Sequence, residues 1–69
     1  MNSVTFNVEE ENIIAIYHGR TRELTIVSMI RVLEHIKEEK MRKIIISCIE
    51  KLADMSDHDF DAYNFIMTQ

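Results

Sequence analysis

The side chains best suited to nucleophilic, acid–base or metal chemistry are His18, His35, His58, Cys48 and the carboxylates around Glu10. A zinc site needs ligands at defined close spacing, and a nucleophilic thiol needs a neighbouring base. The three histidines fall on three different predicted helices, and none has a second ligand at i+3 or i+4 except through nearby acids. His58 lies between Asp57 and Asp59, which reads as a solvated first helical turn. Cys48 falls at the centre of an apolar helix face, where a thiol behaves as a small hydrophobe. One glycine cannot form a phosphate loop. Paired carboxylates are available, but a chain of 69 residues has little room for a deep substrate pocket. The residues therefore point to no enzyme, no metal and no cofactor.

Glu10 is the unusual residue. Glu10, Ile13, Ile14 and Tyr17 are spaced i, i+3, i+4, i+7, so a carboxylate lies in line with an apolar stripe, with Glu9 and Glu11 to either side. A carboxylate at a core boundary needs hydrogen bonds and a cation. Capping meets part of that need: Asn7 and Glu10 have capping-box spacing, in which each side chain serves the other's backbone N–H. The cation is expected from Lys51, which flanks the apolar face of the third helix and can lay its stem on that surface. Arg22 is the other candidate. A Glu10–Lys51 ion pair joining the first and third helices beside a groove is the expected focus of the fold.

These residues need elements to position them, and the chain reads as a single all-α domain over residues 1–69. Its four helices form a compact bundle at about 8–18, 22–37, 40–54 and 57–64. The first begins after Asn7, carries three glutamates at the positive end of its dipole and stops at Gly19. The second starts after Thr21, with Ile26, Met29, Ile30, Leu33 and Ile36 as its stripe and Leu24, Val27 and Val32 outside it. Lys37-Glu38-Glu39-Lys40 contains no Gly or Pro and could continue as helix. One rod from Thr21 to Asp54 would span roughly 50 Å, too long for so short a chain to cover, so a turn is expected near Glu38.

The third helix presents Met41, Ile44, Ile45, Cys48, Leu52 and Met55 on one broad face. Ile44-Ile45-Ile46 could form a buried strand, but no second strand is available to pair with it. Ser56 with Asp59 at N3, and Met55 with Phe60 as a hydrophobic staple, mark the start of the last helix. Phe60 and Tyr63 should pack inward, with an apolar tail, Phe65-Ile66-Met67, beyond.

The formal net charge is −4. Acids dominate from Glu50 to Asp61, where Lys51 alone opposes five of them. Such a surface disfavours nucleic acid. Met1 to Val8 has neither a basic region nor an apolar run, so no signal peptide is expected. No apolar run approaches the length of a membrane span. With Cys48 as the one cysteine, a cytoplasmic location is expected.

The order of residues also resembles a family. Phe6-x-Val8-Glu9-Glu10-x-Asn12-Ile13-Ile14-x-Ile16-Tyr17, then Thr21-Arg22, then Ile49-x-Lys51-Leu52-x-x-Met55-Ser56-Asp57-x-x-Phe60 is similar to the transposon-transfer assisting proteins, small domains encoded on conjugative transposons. The likeness runs from about Phe6 to Phe65. It implies a compact all-α fold and a role in element transfer through contacts with other proteins of the machinery. It also implies a break near Glu38, where this sequence departs in lacking a proline. The family's acidic position maps to Glu10 or Glu9, and its third-helix lysine to Lys51.

The expected binding surface thus centres on Glu10 and Lys51, with Glu9 and Arg22 beside them. The chain is expected as a monomer or a weak homodimer, the latter through the extra apolar residues of the second helix. The alternative is a small nucleic-acid-binding regulator of the mobile element. It would use a helix-turn-helix of the second and third helices, with Arg31, Lys37, Lys40, Arg42 and Lys43 on phosphate.

Overall fold

The structure, a computed structural model, describes residues 4–63. Four helices follow in order: α1 (Val8–Tyr17), α2 (Arg22–Leu33), α3 (Glu39–Asp54) and α4 (Asp57–Ala62). Among the described residues there is no strand, and Ile44-Ile45-Ile46 lies within α3. The last helix ends at Ala62 with Tyr63 as its extended C-cap residue, short of the expected end at residue 64, and the tail 65–67 lies outside the described residues.

α3 is the organising element, because its buried face meets both α1 and α2, while α4 packs on α2. Ile45, Cys48 and Leu52 at i, i+3, i+7 are buried along it. Met55 and Phe60 continue the core into α4, and Phe6, Ile14 and Met29 close it from the other sides. The helix starts are those the sequence predicts. Asn7 and Glu10 form the full capping box, Thr21 Oγ1 accepts from Leu24 N–H at 3.1 Å, and Ser56 Oγ accepts from Asp59 N–H at 3.0 Å.

Three further expectations are corrected. First, α2 ends at Leu33 rather than near residue 37. The cause comes from the next helix: Arg42 Nη1 donates to the carbonyls of Leu33 at 2.8 Å and Ile36 at 2.9 Å. One guanidinium satisfies carbonyls that a continuing helix would have bonded internally. The connection then occupies residues 34–38, with Glu38 as the N-cap residue of α3.

Second, the inner face of α2 keeps Ile26, Met29 and Leu33 of the expected stripe, with Ile36 just beyond the helix also packed on the core, but takes in Thr25 and Val32 in place of Ile30. Thr25 and Met29 are its buried residues, Val32 packs against the core, and Ile30 is exposed. Thr25 is accommodated because its hydroxyl is fully used. It donates to Thr21 O at 2.9 Å and accepts from Gly19 N–H at 2.9 Å.

Third, Gly19 follows the end of α1 without adopting a left-handed conformation. Its smallness serves packing instead. A Cβ there would lie 3.0 Å from Leu24 Cβ and 3.3 Å from Thr25 N, so a side chain would push α2 away from the α1–α2 connection.

Candidate functional site

The site is built where the start of α1 crosses the C-terminal half of α3. The capping box fixes the Glu10 backbone and turns its carboxylate toward the core. Two residues one turn apart on α3 then reach it. Lys51 Nζ donates to Glu10 Oε1 at 2.7 Å, and Ser47 Oγ donates to Oε2 at 2.7 Å. Asn7 N–H adds a third donor to Oε1 at 2.9 Å. The Glu10 side chain is 4% exposed and the Lys51 side chain 35%. The carboxylate is thus an interior group and the ammonium stands at the rim.

Burial by itself pushes the Glu10 carboxyl up. The hydrogen bonds from Lys51, Ser47 and the Asn7 N–H, with the charge of Lys51, outweigh it and hold the group below its ordinary range. The Lys51 ammonium also sits 5.7 Å from the centre of the Phe6 ring, within reach of a cation–π attraction. Phe6 meets Tyr63 edge to face at 5.2 Å. The Tyr63 hydroxyl donates to Glu11 Oε2 at 2.6 Å. Burial, then the bond to Glu11 and its charge, raise the Tyr63 phenol above its usual value.

Of the four residues proposed from sequence, the structure joins two. Glu10 and Lys51 pair directly. Glu9 is exposed on the first turn of α1. Arg22 is not a partner of Glu10. Its Nη1 donates to Leu52 O at 2.9 Å and to Ala53 O at 3.4 Å, and its Nε to Asp57 Oδ1 at 2.9 Å. Arg22 therefore caps the end of α3 and ties it to the first turn of α4, because the chain reversal at Met55-Ser56 brings both helix ends to the start of α2.

Sequence reasoning missed Ser47 and Glu11. Ser47 lies four residues before Lys51, so a scan for polar groups in phase with that lysine would have found it. Nothing local marks Glu11 over Glu9, since Tyr63 selects it from the far end of the chain.

The other candidates for chemistry are dispersed. The His18 ring stacks on Phe60 at 4.9 Å, while His35 and His58 are exposed on separate segments. Among the described residues, no group of three or more His, Cys, Asp or Glu side chains is placed to hold a metal ion. Cys48 is buried, and burial first, then the charge of Glu10, push its thiol up to about 12. A thiol in that state is a poor nucleophile at neutral pH. No helix of the described residues is long and apolar enough to cross a membrane.

Fold and site together define a small all-α domain whose polar side chains serve helix ends and one buried ion pair. Residues 6–67 match the family model described as "Putative transposon-transfer assisting protein", and the chain belongs to that family. The match contains all four helices and both members of the pair. No curated protein and no solved structure matches the chain.

Proposed function

We propose that the chain is a non-catalytic accessory protein of a conjugative transposon, acting in the cytoplasm by binding another protein of the transfer or excision machinery. The observation that carries this reading is the asymmetry of the ion pair. Glu10 is sequestered and consumed by structure, while a third of the Lys51 side chain faces solvent. Glu9, Glu50 and Asp54 are exposed on the same two helices, and Asp59 and Asp61 on α4 add exposed negative charge, while Asp57 is paired with Arg22. A basic partner would be drawn to such a surface, with salt weakening the encounter. The family membership supports a transfer-assisting role; the protein-binding mode is our reading of the surface.

The helix-turn-helix alternative loses support, since Arg42 is committed to the carbonyls of Leu33 and Ile36. The remaining basic groups alternate with Glu34, Glu38 and Glu39.

The test is affinity capture from cells carrying the parent element, with nuclease treatment to remove nucleic acid. The wild-type chain should retain a protein encoded by the element and release it on raising salt. A Glu9→Lys/Asp54→Lys variant, folded as judged by circular dichroism, should lose it. Capture unaffected by the substitutions, or tight salt-sensitive binding to duplex DNA instead, would overturn the proposal.

A further inference from the structure

α2 carries a second apolar stripe that the fold does not use. Its inner face sends Thr25 and Met29 into the core, while Leu24, Val27 and Ile30 on the outer face remain 50%, 45% and 46% exposed. Helical geometry places these three symmetrically: Leu24 and Ile30 lie about 60° to either side of Val27, and about 4.5 Å before and after it. Charges frame the stripe with the same symmetry. Glu23 and Arg31 stand four residues either side of Val27 within α2. Both are exposed, and neither makes a salt bridge with another described residue.

We infer that the outer face of α2 is a self-association surface whose occupant is a second copy of the same helix, running antiparallel about a two-fold axis at Val27. In that alignment Leu24 is level with Ile30 of the second copy, and Val27 with Val27. Glu23 is level with Arg31 of the second copy, and the two-fold axis makes this pairing twice. A two-fold contact must be self-complementary, and this pattern is. A parallel pairing fails on the same residues, because it sets Glu23 against Glu23 and Arg31 against Arg31. Antiparallel helices also oppose their dipoles favourably.

The size of the contact sets its strength. α2 has 12 residues, about 18 Å of helix. Three half-exposed apolar side chains per copy leave the interface below the roughly 1,200 Å² of stable complexes. The dimer is therefore weak and reversible. It uses a surface separate from the one around Lys51, so its failure would leave the proposed function standing.

Sedimentation equilibrium of the full chain over a concentration series tests it, with circular dichroism confirming that each variant is folded. The wild-type chain should show reversible dimer by about 1 mM. Glu23→Arg or Arg31→Glu alone places like charges opposite each other and should weaken self-association about tenfold or more. An equimolar mixture of these two variants restores both pairs and should associate at least as well as wild type, as should the Glu23→Arg/Arg31→Glu double variant. Val27→Asp should remain monomeric throughout. A wild-type chain that stays monomeric at that concentration would overturn the inference. So would single charge reversals without effect, or a mixture no more associated than its components.

Discussion

Glu10 shows how one carboxylate can serve a helix start and a helix–helix contact together. Its Oε1 accepts from both Asn7 N–H and Lys51, while Oε2 accepts from Ser47. Removing the cation leaves a buried acid whose remaining donors cannot replace the charge. Lys51→Met, which keeps the stem against apolar surface, should cost about 1–3 kcal/mol in urea denaturation. It should also raise the Glu10 pKa, measurable by NMR titration. In a double-mutant cycle, Glu10→Gln with Lys51→Met should cost less than the sum of the two singles, because either change alone breaks the same pair.

The pH dependence follows from the same group. Glu10 binds its proton less readily in the folded chain than in the unfolded one. Its contribution to stability is therefore complete above the ordinary carboxylate range and is lost as pH falls through the lower folded value. The stability difference between wild type and Glu10→Gln should be full at neutral pH and narrow under acid. A difference that is unchanged in acid would show that the carboxylate is not held as described.

At the scale of elements, two arginines do work that local sequence signals do not announce. Arg22 binds the carbonyl end of α3 and Asp57 of α4, and Arg42 binds the carbonyls that close α2. Arg22→Ala should destabilise the chain by about 1–2 kcal/mol, and Arg22→Lys should recover only part of it. An ammonium cannot hold a carbonyl and a carboxylate in the fixed fork of a guanidinium. Thermal denaturation of the two variants measures this.

The same arginines explain which parts of the fold could be read in advance. The starts of α1, α2 and α4 were legible because their signals are local: a cap residue and the backbone N–H groups two or three positions later. The end of α2 was not, because the group that stops it comes from α3. Thr25 was missed on the inner face of α2 for a related reason. Thr25 is polar by type, and only its bonds to Thr21 O and Gly19 N–H make it a core residue. At the site, Glu10 and Lys51 were legible from their phase against apolar stripes. Arg22 was drawn to the wrong acid because nothing local distinguishes Asp57 from Glu10.

At the scale of the whole molecule, the proposed function is work by contact. The one buried carboxylate and the one thiol are accounted for by packing and capping, and His18 stacks on Phe60, while His35 and His58 are exposed. The exposed charge is acidic on α1, at the end of α3 and along α4, while the outer face of α2 is apolar with paired charges. On the two proposals, surfaces of different character would let one copy meet a second copy and a basic partner together.

The account rests most heavily on the claim that this domain assists transfer through the acidic surface beside Lys51. Transfer frequency of the parent element measures that directly, using donors that lack the chain and are complemented in trans. Wild type should restore transfer, and the folded Glu9→Lys/Asp54→Lys variant should fail to do so. Full restoration by that variant, or unimpaired transfer without the chain, would contradict the account.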